Sequence, residues 1–282
     1  MLVPKYNEDG SINLDVQRAM KEHKVQVVPN SNHRYGLVAD PLSVVAKMQN
    51  HRRLFGALKS GLPSSVSLSD GVLIRDQSYT QSCLGFAMAT AIRSRLYRQG
   101  HRFDPSPMYI YTLARMMYEE PEEPLIDVGS MPHSAVEGLQ TYGVISETDM
   151  PFDTSKINEE VPWDLQHKGS GFLVRGIYKV GEASVDTSHS VCEALSRGFP
   201  VFMGTYMTDA LEGYQSGVLE PEDIQGPGHA MCIVGYEDNG DVFEVANSWG
   251  ESFGEQGYVW LHRSFIEHRL TGHLYVVPVE RS

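Results

Sequence analysis

Residues 82–100 carry the clearest helical pattern of the chain, because apolar side chains recur there at every fourth position. These side chains belong to Leu84, Met88, Ile92 and Leu96. Gly100 is the predicted end of this helix, since glycine readily takes the left-handed conformation that terminates helices. Cys83 therefore lies in the first turn of a predicted helix.

Two further helices are predicted from the residues that start and end them. One begins with Ser106 as its cap and Pro107 at its first position, and it continues through "MYIYTLARMMYE". The other begins at Pro132 and ends at Gly143. Proline suits the first helical position because its missing N–H would have no partner there.

The first 61 residues are polar and only weakly periodic, and they read as an extension rather than a domain. One helix is predicted within them, with Asp40 as its cap, Pro41 in its first turn and Gly61 as its stop.

After about residue 165 the pattern changes to short apolar runs that are typical of strands. The runs are "GFLVRGIYKV", "PVFMGTYM", "HAMCIVGY", "DVFEVAN", "GYVWLH" and "HLYVVP". One helix interrupts them at "SVCEALSRG", where Ser190 and Glu193 are spaced as a capping box. Helices followed by strands predict an α+β fold of two subdomains, mainly helical over about 75–165 and mainly β over about 166–282, with a cleft between them.

The amino-acid composition and net charge exclude several classes of protein. The 282 residues are 41% hydrophobic and 21% charged, as in an ordinary soluble globular protein. A net charge of −13 argues against nucleic-acid and membrane partners, and no apolar run is long enough to span a bilayer. The start "MLVPKYNEDGSINLDV" lacks the features of a signal peptide, and three cysteines are too few for a disulfide framework. These observations predict a reducing, cytoplasmic location.

Cys83 is the first candidate for chemistry. At a helix N-terminus the helix dipole favours negative charge, which predicts a lowered pKa and a larger thiolate fraction. A small buried cysteine that packs as a hydrophobic residue is the simpler explanation of the same position. Position alone leaves both explanations open.

A predicted hairpin brings a histidine and an asparagine together. His229 begins one predicted strand and Asn247 ends the next, with "DNG" between the strands. A two-residue turn would leave them on opposite faces. A three-residue loop at 238–240, ending in a left-handed glycine, pairs 237 with 241 and places both on one face. We therefore predict the three-residue loop; Cys232 then points to the other face, into the core.

With these motifs in order, the chain resembles the papain-like (C1) cysteine peptidases over most of residues 62–282. The segments that carry the resemblance are "QSCLGFA", "GPGHAMCIVGY" and "NSWGESFGEQGY". The resemblance implies a helical left subdomain, an antiparallel β-barrel-like right subdomain and an active site in the cleft. It also implies a catalytic triad of Cys83, His229 and Asn247, with Gln77 completing an oxyanion hole.

The same resemblance implies the residues that hold the substrate. The backbone of Gly129 and Ser130 would grip an extended peptide, and Trp249 would shield the Asn–His hydrogen bond from water. Thr80 stands where secreted members of the family have a disulfide cysteine, and Leu84 replaces an aromatic residue. These departures bear on substrate range and leave the four chemical positions intact.

The expected function is therefore hydrolysis of peptide bonds in peptide or protein substrates, through an acyl-enzyme and without metal or cofactor. Two alternatives stay open. One is a papain-like fold that serves as a binding or assembly module, for example in a viral particle, with little or no turnover. The other is a different thiol acyl-transfer enzyme.

With an active-site cleft expected, two roles remain open for residues 1–61. They are either a short inhibitory prosegment that crosses the cleft, or a docking arm that packs away from the cleft and contacts a partner.

Overall fold

The computed structural model describes residues 34–54, 61–117, 124–168, 171–181, 187–222, 226–268 and 271–281. The helices are α1 (Leu42–Lys47), α2 (Cys83–Arg98), α3 (Pro107–Met116), α4 (Pro132–Tyr142), α5 (Trp163–Gln166), α6 (Thr187–Ser196), α7 (Asp209–Glu212) and α8 (Arg263–Glu267). The strands are β1 (Gln49–Asn50), β2 (Val66–Ser67), β3 (Phe172–Val174), β4 (Tyr178–Lys179), β5 (Val201–Tyr206), β6 (Val218–Leu219), β7 (Gly228–Glu237), β8 (Val242–Ala246), β9 (Tyr258–His262), β10 (Thr271–Val276) and β11 (Val279–Arg281).

The three long helices begin and end close to the predicted residues. Helix α2 follows Ser82, and Gly100 behind its end has a φ of 86°. The Ser106 hydroxyl caps α3 by accepting the N–H of Tyr109 at 3.0 Å. Helix α4 ends at Tyr142, and Gly143, which follows it, has a φ of 79°. Local capping chemistry therefore accounts for the boundaries of this helical layer.

The strands form one large sheet in the order β1-β4-β10-β5-β7-β8-β9-β6, and β2 pairs with β7. The pairs are antiparallel except at the two ends, where β1–β4 and β6–β9 are parallel. Strands β3 and β11 form a separate antiparallel pair. Within the described residues the sheet stays open, so the expected barrel-like closure is not found there.

Helix α2 lies between the two layers, packing against α3 on one side and against β7 on the other. One core contains residues of α2–α4 together with Phe202 and Tyr275 of the sheet. A second core lies between the sheet and helices α6 and α8. It includes Cys192 and also Cys232, for which a core position was predicted. Because β7 contacts α2 directly, a residue at the start of α2 comes close to a residue at the start of β7.

The β7–β8 hairpin corrects the predicted loop. Glu237 pairs with Val242, so the loop has the four residues 238–241 rather than three. A register shift between Ile233 and Gly235 compensates, because one extra residue in a strand reverses the alternation of faces. His229 and Asn247 still meet at the same end of the hairpin, as their hydrogen bond shows.

The N-terminal helix is also corrected. Helix α1 has Pro41 rather than Asp40 as its N-cap, and no side chain caps it. It ends at Lys47, because the next residues pair with β4 as strand β1 instead of continuing the helix. Residues 55–60 of the predicted helix lie outside the described residues. Among the described residues, no helix is long and apolar enough to cross a membrane.

The predicted capping box at Ser190 and Glu193 is wrong. Helix α6 begins at Thr187, so both residues lie within the helix. Their side chains instead accept hydrogen bonds from Arg52, at 3.5 Å for the Ser190 hydroxyl and 2.9 Å for the Glu193 carboxylate. Both residues therefore hold the N-terminal segment against the sheet side of the protein.

Candidate active site

Cys83 is the first residue of α2 and is completely buried. Burial raises the pKa of its thiol to about 11, although hydrogen bonds from the backbone N–H groups of Gly36 and Ala230 oppose this rise. The lowered pKa expected from the helix N-terminus is therefore wrong for this state of the protein. Ala230 directly follows His229, so the thiol lies beside the start of β7.

The His229–Asn247 pair has a defined hydrogen-bonding direction. Nε2 of His229 lies 2.8 Å from Oδ1 of Asn247, and the backbone N–H of Ser248 donates to the same oxygen at 2.8 Å. A backbone N–H can only donate, so this atom of the asparagine is an acceptor. In the neutral imidazole the proton therefore sits on Nε2, and Nδ1 is the acceptor.

Trp249 covers the histidine ring. The two rings are stacked with their centroids 4.9 Å apart and their planes 30° apart. Trp249 is itself only 2% exposed, and the edge of Phe253 packs against it. A buried aromatic ring stacked in this way excludes water from the face of the imidazole that it covers.

Gln77 is fixed by three hydrogen bonds. Its Oε1 accepts from the Ser248 hydroxyl at 2.7 Å, which orients the amide. Its Nε2 then donates to the carbonyl oxygens of Thr80 at 2.8 Å and Arg34 at 3.0 Å. The resemblance assigns the Gln77 amide N–H group to an oxyanion hole, but in this structure that amide donates to the carbonyl of Arg34.

Ser248 is a positioning residue that the sequence analysis missed. Its N–H sets the amide of Asn247, and its hydroxyl sets the amide of Gln77. One residue thus couples the two side chains that flank the reaction centre. Its place in "NSWG", directly after the asparagine, was the sequence feature that pointed to this role. A serine in a loop can also hydrogen-bond its own backbone, so this feature alone does not predict the role.

Residues 34–40 run along the cleft and take its backbone hydrogen bonds. Gly36 accepts the N–H of Ser130 at 2.8 Å, and Val38 donates to the carbonyl of Ser130 at 2.9 Å. Leu37 donates to the carbonyl of Gly228 at 3.1 Å. Ser130 therefore holds an extended stretch of the same chain through its backbone, whereas the N–H of Gly129 donates to the Tyr111 hydroxyl at 3.1 Å.

The side chain of Tyr35 lies over the catalytic positions. Its ring is edge-on to His229 with centroids 5.7 Å apart and edge-on to Trp249 with centroids 5.9 Å apart. Only 5% of Tyr35 is exposed. The segment presents the N–H of Gly36 to the thiol, and an amide hydrogen is not a group that a thiolate can attack.

Two glycines allow this close approach. A Cβ on Gly36 would lie 1.9 Å from the carbonyl oxygen of Gln81. Gly129 has a φ of +84°, and a Cβ on it would lie 2.1 Å from the carbonyl oxygen of Gly36. Both obstacles are backbone atoms, so no side-chain rotation could relieve them. The segment is seated only because both positions lack a side chain.

The comparisons with known proteins agree with this geometry. The papain family of cysteine proteases matches residues 62–272. An uncharacterized peptidase C1-like protein of Acanthamoeba polyphaga mimivirus is 27% identical over 205 residues, covering 68% of this chain and 65% of that protein. A viral cathepsin of Mamestra configurata nucleopolyhedrovirus is 25% identical over 201 residues, covering 67% of this chain and 53% of that protein.

Solved structures share the fold. Xylellain, a cysteine protease from Xylella fastidiosa, superposes with a TM-score of 0.74 at 22% identity, covering 89% of this chain and 98% of that one. Procathepsin L 3 of Tenebrio molitor superposes with a TM-score of 0.66 at 22% identity, covering 82% and 75%. The α+β papain-like fold is thus confirmed, and the chain belongs to the papain family of cysteine proteases.

Proposed function

We propose that the chain is a cysteine peptidase that residues 34–40 hold in a latent state. The observation that carries the proposal is the His229–Asn247 pair, in which a doubly bonded acceptor fixes the protonation of the ring beside the Cys83 thiol. A structural histidine has no need for this arrangement, whereas a general base needs one defined acceptor nitrogen.

Nδ1 of His229 is the base in this mechanism. It removes the proton of Cys83, and the thiolate–imidazolium pair forms once the cleft opens to solvent and substrate. The sulfur then forms a bond to the carbonyl carbon of the substrate, and the π electrons move to the oxygen. Nε2 of Gln77 and the N–H of Cys83 would donate to this oxyanion; losing one such donor costs about 10²–10³ in rate in related cases.

Collapse of the tetrahedral species breaks the C–N bond. His229 gives its proton to the leaving amine, and the acyl group remains on Cys83 as a thioester. Water then attacks the thioester with His229 as base, which releases a carboxylic acid and restores the thiol. Throughout these steps Asn247 keeps the ring in one orientation.

The groups now bound by the segment define how a substrate would be held. Ser130 offers both an N–H and a carbonyl, and Gly228 offers a carbonyl. An extended peptide that satisfies all three adds a strand-like edge to the cleft. The proposed substrates are therefore extended stretches of peptide or protein, with an apolar side chain in the buried position that Leu37 fills.

Latency follows from the same contacts. Gly36, Leu37 and Val38 bind the backbone groups of Ser130 and Gly228, and the Arg34 carbonyl binds the Gln77 amide. While they do so, a substrate cannot bind to these groups. The chain that follows residues 34–40 is anchored outside the cleft, because Arg52 pairs with Glu193 at 2.9 Å. This arrangement supports the prosegment role of residues 1–61 over the docking arm, which expects an open cleft.

The function is tested by product analysis. The full chain and its Cys83→Ala variant are incubated with an unfolded protein, and new termini are identified by mass spectrometry with and without a competing amine. We expect new free carboxyl and amino termini with the unsubstituted chain only. Amine-adducted products would show an acyl-transfer enzyme instead. The absence of products, also when the segment is displaced by Gly36→Ala, would support a binding module.

We expect Ser248→Ala to lower kcat by about tenfold while KM changes little. The variant keeps the backbone N–H that sets Asn247 but loses the hydroxyl that orients Gln77, which acts on charge formed only in the transition state. Ser155→Ala, at an exposed hydroxyl bonded only locally to Asp153, is the matched control. A raised KM at unchanged kcat would contradict the assigned role.

A further inference from the structure

Asp40 is the last residue of the segment 34–40 that runs along the cleft, and its side chain is fully buried. Its Oδ1 accepts the backbone N–H of His133 at 3.0 Å and lies 2.6 Å from Nδ1 of the same histidine. His133 is the second residue of α4, so its N–H is one of the donors that a helix leaves unsatisfied at its start. The helix begins against a carboxylate that comes from elsewhere in the chain.

Strand β10 provides the other side of this pocket. Burial and the neighbouring Asp40 carboxylate raise the pKa of the Tyr275 hydroxyl. The Tyr275 hydroxyl also lies 2.9 Å from Nδ1 of His273. Burial lowers the pKa of His273, and the same carboxylate opposes this effect. The Asp40 carboxylate therefore bonds to His133 through Oδ1 and lies within electrostatic reach of His273 and Tyr275.

This pocket adjoins the groove that holds the peptide backbone. Leu37 bonds to Gly228 and packs against Gly204, where a Cβ would lie 2.5 Å from the Leu37 side chain and 2.9 Å from that of His273. His273 and Gly204 are paired across β10 and β5. The apolar position of Leu37 and the carboxylate pocket thus share a wall, and one extended peptide reaches both.

We propose that His133, His273 and Tyr275 form a subsite for an acidic side chain of the substrate, which Asp40 occupies while the segment is seated. The inference rests on the proposed function. When Asp40 leaves, the pocket retains the backbone N–H of His133 at the start of α4, the ring N–H of His133 and the Tyr275 hydroxyl as hydrogen-bond donors. The His273 ring, whose Nδ1 lies 2.9 Å from the Tyr275 hydroxyl, orients that hydroxyl. An aspartate or glutamate restores the lost charge-assisted bonds, and a neutral amide restores them only in part. A lysine is disfavoured because its positive charge would lie against the N–H group at the start of the helix.

The test uses the full chain and a set of peptides. Each peptide has leucine as the apolar anchor, and aspartate, asparagine or lysine is placed in turn at every other position within four residues of it. We expect the aspartate peptide to exceed its asparagine counterpart in kcat/KM by about tenfold at one position, with lysine lowest. The seated segment lowers all rates by one common factor, so the ratios do not depend on latency.

Variants assign the preference to the pocket. His133→Ala and Tyr275→Phe should each bring the aspartate-to-asparagine ratio to within about threefold, because each removes one donor. His167→Ala is the control, since this histidine is exposed and stacks on Trp163 away from the cleft. Equal rates for the two peptides at every position, or a ratio that neither variant changes, would overturn the subsite.

A second readout separates this inference from the peptidase activity. If no peptide is cleaved by the full chain or by its Gly36→Ala variant, the proposed function fails, and the same peptides are used as competitors against alkylation of Cys83. The subsite then requires that an aspartate peptide protects the thiol at about tenfold lower concentration than its asparagine counterpart. Equal protection by the two would refute the subsite independently of any turnover.

Discussion

Cys83→Ala is expected to abolish peptide hydrolysis, and Asn247→Ala is expected to reduce it only in part. Without the sulfur no acyl-enzyme can form, so the loss should reach about 10⁴-fold or more, the scale seen when a covalent nucleophile is removed. Without Asn247 the base remains, but its tautomer and orientation are no longer held by the 2.8 Å bond to Nε2. We expect a loss of about 10–100-fold in kcat.

The double variant distinguishes a working unit from independent contributions. If Cys83 and Asn247 act in one mechanism, the double variant is no slower than Cys83→Ala alone, because the second change has no remaining step to affect. Circular dichroism and thermal unfolding of all three variants show whether the fold persists. Equal losses in the two single variants, with the fold intact, would mean that Asn247 does more than orient the ring.

The helix boundaries and the meeting of His229 with Asn247 could be predicted because they depend on short-range rules. The cap at Ser106 and the glycines at 100 and 143 determine where helices begin and end, and the structure follows them. The meeting of His229 and Asn247 follows from the alternation of faces in a hairpin. The loop length did not follow, since a bulge near residue 234 and a longer turn together give the same faces as a shorter turn alone.

The course of residues 34–40 could not be read from side-chain patterns, because backbone atoms make most of the contacts. Gly36, Leu37 and Val38 bond through N–H and carbonyl groups that every residue type carries. The helix cap predicted for Asp40 was wrong for a related reason. A short carboxylate before a proline is typical of a helix cap, yet the same carboxylate can bond to the start of a different helix, as it does with His133.

The pKa of Cys83 shows how two correct principles compete. The helix N-terminus favours the thiolate, and its influence is limited to the first turn. Complete burial under the segment favours the neutral thiol, and it is the larger effect here. The first effect follows from the position of Cys83 in the sequence. The second depends on the segment around Gly36, which lies more than 40 residues earlier in the chain.

Gly36→Ala is therefore expected to open the cleft and expose the nucleophile. Its Cβ would lie 1.9 Å from the Gln81 carbonyl oxygen, so the seated segment must shift or leave. Overpacking of this kind costs about 1–3 kcal/mol, which corresponds to roughly 5–150-fold in the ratio of displaced to seated segment. We expect the rate of Cys83 alkylation at pH 7 to rise by a factor in this range, and peptide hydrolysis to rise with it.

The pH dependence and a matched glycine make this prediction specific. Since burial raises the pKa of the seated thiol to about 11, alkylation of the native chain should increase up to that pH, and displacement of the segment should move the curve to lower pH. Gly61→Ala removes a glycine with open space around it and should behave as the native chain does. Peptide mapping of the alkylated protein should find the label on Cys83 and not on the buried Cys192 or Cys232. If Gly36→Ala is alkylated no faster than Gly61→Ala, residues 34–40 do not limit access to the thiol, and the latent state proposed for this chain is wrong.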